Sequence, residues 1–407
     1  MVLPVQVLSP LDGRYQSAVA PLGEYLSEAG LNRARVHVEV EWLIELTNRR
    51  MFGSEPISAT DQATLRSFVS DFGQPEIDEL ASLEATTRHD VKAVEYLVRA
   101  KLTQLGLDRI SELTHFACTS EDINNVSYAL IVRDAVTQVW APAFDAVIAE
   151  LTVLAKTHRS VPMLCRTHGQ PATPSTMGKE LAVFAHRLAR IRQQILDTDY
   201  LAKFSGATGT FSAHVAADAS TDWPAISRTF IEGLGLTWNP LTTQIESHDW
   251  QAELYGRISH ANRVVHNLAT DMWTYISLGF FRQIPQAGAT GSSTMPHKIN
   301  PIRFENAEAN LELSCAVLDS LAATLVTSRM QRDLTDSTTQ RNIGVGLGHS
   351  LLALDNIRRG LGEVDLDADA LARDLRLQED GEPGDVEHHK MHRIDACKSQ
   401  PQEVTGI

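Results

Sequence analysis

The sequence predicts an almost entirely α-helical protein built around a long helical bundle, and two observations carry that prediction. Apolar residues recur at alternating three- and four-residue intervals over long stretches, the period of one helix face. Alternating tracts rich in β-branched residues, the mark of half-buried strands, are scarce. The apolar seams run through Phe144, Ile148, Leu151 and Ala155; through Leu181, Phe184, Leu188, Ile191 and Ile195; through Leu254, Ile258, Ala261, Val265, Leu268, Met272 and Tyr275; and through Leu311, Cys315, Leu318, Ala322 and Leu325. At least four helices between about residues 139 and 330 follow, and four such seams make a bundle.

The segments around the bundle read as follows, from the N-terminus. Met1 to Val5 lack the basic stretch of a targeting signal, and their apolar start is broken by Pro4. No later segment reads as uniformly apolar over a bilayer's width, so a cytoplasmic protein is expected. Ser9 to Tyr15 read S-P-L-D-G-R-Y, and Thr86 to Tyr96 read T-T-R-H-D-V-K-A-V-E-Y. In His115 to Asn125, H-F-A-C-T-S-E-D-I-N-N, Thr119 or Ser120 is placed to cap a helix by accepting from its first amides. Arg166 to Thr176, R-T-H-G-Q-P-A-T-P-S-T, set His168 in a proline-punctuated turn at the entrance of the next helix. Thr167, Gln170, Thr173 and Ser175 flank it and can orient a ring nitrogen or a ligand carboxylate, although a lone histidine is more often structural.

Phe211 to Val215 form a short extended candidate within a glycine-rich connection, and Thr242 to Glu246 read T-T-Q-I-E. Gly291 to Pro301 read G-S-S-T-M-P-H-K-I-N-P, after the small residues Ala287 to Thr290. A glycine-bounded polar loop leading into a helix can close over a ligand, with unpaired amides and the positive end of the helix dipole facing an anion. Composition alone favours a solvated connection between helices. Gln331 to Ser337 complete the polar tracts with Q-R-D-L-T-D-S.

The loop at 291–301 resembles the signature loop of the fumarase/aspartase superfamily, whose members release fumarate by β-elimination. Residues 115–125 and 166–176 are similar to two further motifs of that superfamily and stand in its order. Within it, the tracts at 9–15, 86–96, 242–246 and 331–337 resemble the adenylosuccinate lyase family, and the likeness spans most of residues 9 to about 375. The resemblance implies three regions: an N-terminal helical domain over 1–110, a long-helix bundle over 111–360, and a C-terminal region from 361. It also implies a homotetramer made by packing the bundles together, with each active site gathered from three subunits, so that His168 and Ser292 of one site come from different chains.

By the same resemblance Ser292 is the general base and His168 the general acid, with Glu305 polarising the histidine and Lys298 lowering the proton affinity of the serine. Thr119, Ser120, Ser293 and Asn300 would fix the succinyl carboxylates, and Gln244 would hold the substrate near the scissile bond. Arg14, Tyr15, Arg332, Ser337 and Arg341 would take the phosphate end, with His89 and Asp90 lining the nucleotide pocket and Arg88 adding local positive charge. A small purine nucleotide is the implied substrate. No cofactor or metal is expected, because protonation activates the leaving group and the substrate's own carboxylate stabilises the carbanion.

Charge and cysteine content narrow the class. With 51 acidic against 36 basic side chains and a net charge of −15, the surface repels nucleic acid and anionic membranes, so neither is expected as a partner. Cys118, Cys165, Cys315 and Cys397 lie far apart without C-x-x-C spacing and are expected to be free thiols, Cys118 and Cys165 as small buried packing residues. Beyond about Leu375 the chain departs from the family. It shows no helical seam there and turns into a polar tail bearing His388, His389 and His392, which reads as disordered and not as a metal site, so 361–407 is expected to be truncated or divergent. Two alternatives stay open: a non-catalytic assembly of the same fold, and another fumarate-releasing lyase such as argininosuccinate lyase, whose substrate carries no phosphate.

Overall fold

A computed structural model describes residues 7–285 and 299–380, with side chains to residue 376. Ser292, Ser293 and Lys298, like His388, His389 and His392, lie outside the described residues. Five helices form the N-terminal part: α1 (Gln16–Leu26), α2 (Glu28–Asn48), α3 (Ala59–Ser70), α4 (Gln74–Thr87) and α5 (Asp90–Gln104). Side chains cap several of them. Ser27 accepts from the Gly30 amide at 3.1 Å, and His89 Nδ1 from the Lys92 amide at 3.2 Å, each satisfying a donor the helix leaves unpaired.

The chain then enters one continuous helical run, α6 (Ser120–Asp134), a π-helical segment over 135–140 and α7 (Ala141–Thr157). By length and apolar composition this 38-residue run could cross a membrane, which corrects the expectation that no segment qualifies. Every residue of α6 from Glu121 to Val132 is buried in the protein, charged and amide side chains included, and those polar groups are paired within the fold.

A β-hairpin follows, β1 (Pro162–Thr167) against β2 (Gln170–Thr176), and then α8 (Met177–Leu196). Two residues each in β3 (Leu201–Ala202) and β4 (Thr237–Trp238) pair in parallel around α9 (Ser212–Ala217) and α10 (Trp223–Gly233). The remaining elements are α11 (Asp249–Ser277), β5 (Phe281–Gln283), α12 (Ile302–Leu325), α13 (Thr335–Gln340), α14 (Ile343–Gly362), β6 (Val364–Leu366) and α15 (Ala368–Asp380), with β5 antiparallel to β6.

The bundle consists of α7, α8, α11, α12 and α14, one helix more than the seams announced. All residues of the four seams are buried except Ala322 and Tyr275, which are half-buried against the same core. Glycines let α14 sit close to its neighbours: a Cβ at Gly346 would lie 2.9 Å from Leu318 on α12, and one at Gly344 3.2 Å from Leu26 on α1. A chain of buried hydrogen bonds sets the register. Trp140 Nε1 donates to Ser350 Oγ at 2.8 Å, Ser350 to Asn262 Oδ1 at 2.7 Å, Asn262 Nδ2 to Ser314 Oγ at 2.9 Å, and Ser314 to the Gly346 carbonyl at 2.7 Å.

Four local expectations are corrected. His168 sits at the tip of a hairpin, not in a turn that directly enters a helix, because residues on both sides of it pair as strands. Phe211–Val215 is not extended: Phe211 adopts φ 55°, and α9 starts at Ser212. The chain past Leu375 is helical as far as Asp380. Cys118 and Cys165 are half-buried, whereas Cys315 is buried; all three are free.

Candidate active site

Most of the candidate residues meet at the N-terminus of α6. Asp122, wholly buried, accepts from the Thr119 amide at 2.8 Å and thereby closes the turn that presents Thr119 and Ser120. The same carboxylate accepts from the Ser205 and Gly206 amides and pairs with the buried Lys203 at 2.8 Å, fixing the turn to the chain after β3. Ser120 Oγ stands 3.5 Å from His89 Nε2. Beside it, Asp90 pairs with the buried Arg35 at 2.9 Å and with Arg341 at 3.1 Å, and Arg341 also bonds Glu28. Burial alone would raise the Asp90 carboxyl, but Arg35, the Val91 amide and Arg341 together hold it below the usual range. Arg88 lies next to this cluster in the left-handed region at φ 53°, ending α4.

Two further candidate tracts dock here. Gln244 Nε2 donates to the Ala207 carbonyl at 2.9 Å, and Thr243 Oγ1 to the Gln331 carbonyl at 3.1 Å. Arg332 lies between two carboxylates, Glu121 at 3.2 Å and Asp336 at 2.7 Å. Asp336, next to Ser337, is backed by the buried His248, whose Nε2 lies 3.2 Å away, while Gln340 stands 3.3 Å from His248 Nδ1. Burial pushes the Glu121 carboxyl up to about 6 against the pull of Arg332 and His248. Asp336 is held low despite its burial, by the His248 hydrogen bond and by Arg332. Glu121, His248 and Asp336 place ligand-type atoms within 4.8 Å of one another, the makings of a metal site, but the Arg332 guanidinium already supplies the positive charge against both carboxylates.

Of the other candidates, His168, Glu305 and Asn300 lie at the far end of the bundle, whereas Arg14 and Tyr15 precede α1, where Asp12 and Gln16 line one cavity with Gln340 and Arg341. His168 is exposed at the hairpin tip, with φ 55°, and among the described residues no hydrogen bond orients its ring. Ser175, expected to help orient it, donates instead to Glu180 at 2.8 Å. Arg166 anchors the hairpin by a two-nitrogen pair with Asp374 of α15, and its guanidinium lies 5.7 Å from the Phe280 ring centre, just past the end of α11. Glu305 is exposed at the start of α12 and accepts from Trp273 Nε1 at 3.1 Å, so its partner within the chain is not His168. Asn300 is exposed nearby in sequence, before α12. Arg14 lies over the Tyr15 ring, and the Tyr15 hydroxyl accepts from Asn306 Nδ2 at 3.3 Å.

The two ends are well separated. His248 caps the start of α11 and Trp273 lies near its end; the helix is 29 residues long, about 43 Å at a helical rise. Sequence reading missed Glu121, Asp336, His248 and Lys203, which hold the first cluster from behind. Their side chains find one another only through tertiary packing; Glu121 and Asp336 were signalled by their place in the 115–125 and 331–337 tracts, while Lys203 and His248 lie outside every tract.

Comparison with known proteins places the chain. The Lyase family matches residues 13–317, and the family described as adenylosuccinate lyase C-terminal matches residues 328–380. A fumarate lyase structure from Mesorhizobium sp. BNC1 shares the fold with a TM-score of 0.72 at 18% identity, covering 93% of this chain and 86% of that one. Fold and family match make this a lyase of the fumarase/aspartase superfamily. The adenylosuccinate lyases of Haemophilus influenzae and Escherichia coli K12 are each 45% identical to it over 370 residues, 90% of this chain and 81% of theirs. The chain belongs to the adenylosuccinate lyase family.

Proposed function

We propose that this chain releases fumarate by β-elimination from adenylosuccinate to give AMP, and from the parallel carboxamide ribotide SAICAR to give AICAR. Identity to curated adenylosuccinate lyases over 90% of the chain carries the reading. The reaction removes a proton from a carbon beside a carboxylate, an intrinsically weak acid, while the departing purine nitrogen is protonated on the other side. Ser292 takes the first proton and His168 supplies the second. Lys298 lowers the proton affinity of the serine and stabilises the charge that builds on the adjoining carboxylate. Thr119, Ser120, Ser293 and Asn300 hold the succinyl carboxylates, and Gln244 holds the substrate near the bond that breaks. The cations of the α6 cluster, Arg332 and Arg341, take the phosphate together with Ser337, Arg14 and Tyr15. That phosphate end favours this substrate over argininosuccinate, which lacks one.

The site is shared between copies in a homotetramer. His168 and Glu305 lie about the length of α11 from the Thr119-Ser120 turn, too far for one small substrate to touch both, and both are exposed. Leu241, Met330 and Leu334, at 87%, 90% and 68% exposure around the Gln244 and Arg332 tracts, are apolar surface suited to burial by a neighbouring copy. The first experiment is fumarate release from adenylosuccinate by the full chain, with Ser292→Ala and His168→Ala alongside. Loss of turnover in both variants is expected. A folded tetramer without turnover would point instead to a non-catalytic assembly.

A further inference from the structure

We propose that Glu121 is a positioning residue: its buried carboxylate aims the Arg332 guanidinium at the substrate's phosphate and ties that contact to the Thr119-Ser120 turn. The inference rests on the phosphate-binding reading of Arg332. Glu121 is the second residue of α6, directly after Ser120, and 3% of its surface is exposed. Its Oε2 lies 3.2 Å from Arg332 Nη2, while Asp336 Oδ2 holds Nη1 at 2.7 Å. Contacts at both terminal nitrogens fix the plane of a guanidinium and leave its remaining N–H groups for a ligand. Asp336 does not move freely either, since His248 and Gln340 back it and Glu246 holds the His248 amide at 2.8 Å.

Burying a second carboxylate is costly, and neutralising Arg332 does not require it, because Asp336 already does so. What the second carboxylate adds is a link: it joins the element that presents Thr119 and Ser120, for the succinyl end, to the segment that carries Arg332 and Ser337, for the phosphate end. Glu121 faces Arg332 and Asp336 from the 331–340 segment, His248 from the start of α11 and Lys203 from the chain after β3. When Glu121 gains a proton, its hold on Arg332 weakens, so the Arg332 contact is strongest in the unprotonated form.

The test compares wild type, Glu121→Gln and Arg332→Ala as full chains, reading kcat and KM for fumarate release, AMP affinity by calorimetry, and thermal unfolding. Arg332→Ala should lose most AMP affinity. Glu121→Gln keeps the side chain's shape and should raise KM and weaken AMP about tenfold, with inhibition by fumarate unchanged. The AMP phosphate itself titrates at about 6, so the signature is a difference: wild-type AMP affinity should fall more steeply than that of Glu121→Gln as the pH drops through about 6. AMP binding by Glu121→Gln equal to wild type at every pH would overturn the proposal. If Glu121→Gln fails to fold, Glu121→Asp, which retains the charge but not the reach, decides by the same AMP measurement. Unaltered AMP affinity in Arg332→Ala would instead overturn the phosphate reading beneath it.

Discussion

Glu39, with 0% of its surface exposed, fixes the stretch of chain that delivers Thr119 and Ser120. It accepts from the His115 amide at 3.0 Å, and its other oxygen lies 2.5 Å from His115 Nδ1. His115 and Ala117 both sit at φ 57°, a conformation that costs on the order of 1 kcal/mol or more for each non-glycine residue and persists only where surroundings hold it. Glu39→Gln removes the charge from this pair and is expected to cost about 3 kcal/mol in urea unfolding at neutral pH. Burial would lower the His115 ring, but the hydrogen bond and charge of Glu39 outweigh it and leave it raised above 6.5. A raised histidine contributes stability that is complete below its unfolded value of 6.5 and is lost as pH climbs through the higher folded value. Unfolding titrations at rising pH from 6 should therefore show a loss of stability that His115→Gln does not show. The tract around His115 was legible as a turn at a helix start, but its anchor was not, because Glu39 lies on α2, a helix whose buried residues leave no single apolar stripe to signal what it packs against.

Elements were legible where apolar residues repeat on one face only. α8 and α11 follow their seams closely, whereas α14 begins I-G-V-G-L-G-H, where alternating glycines disguise a helix that needs them to approach α1 and α12. The hairpin escaped for the opposite reason. Only one of the seven residues of β2 is buried and it carries Pro171 and Pro174, so it shows neither strand propensity nor alternation, and prolines are tolerated there because both strands of a two-stranded ribbon are edge strands. Asn262 joins α11 to both α12 and α14 as donor to Ser314 and acceptor from Ser350. Asn262→Leu leaves the Ser350 hydroxyl without its acceptor and the Ser314 oxygen without its donor in the core, and should cost about 2 kcal/mol by chemical denaturation. The hairpin depends on α15 through Arg166 and Asp374. Asp374→Asn weakens that anchor and should lower turnover by up to about tenfold through misplacement of His168, with AMP affinity unchanged, because the α6 cluster lies at the other end of the bundle.

Across the whole molecule, the order of the motifs along the chain revealed the family but not their separation in space. Sequence places His168 between the 115–125 and 242–246 tracts, yet α8 carries the chain the length of the bundle before the latter begins, and α11 carries it back. On the proposed shared site, half-sites at opposite ends of one bundle require bundles that run antiparallel, so that the His168 end of one copy meets the Arg332 end of another. A variant damaged at one end then remains intact at the other. His168→Ala and Arg332→Ala, each nearly inactive alone, should recover turnover when mixed and allowed to exchange subunits, since some sites then draw His168 and Arg332 from undamaged halves. Equal mixtures of either variant with itself serve as the reference. A mixture no more active than the two parents, with subunit exchange verified by mass, would mean that both residues of each site come from one chain and that the bundle bends or opens to unite them.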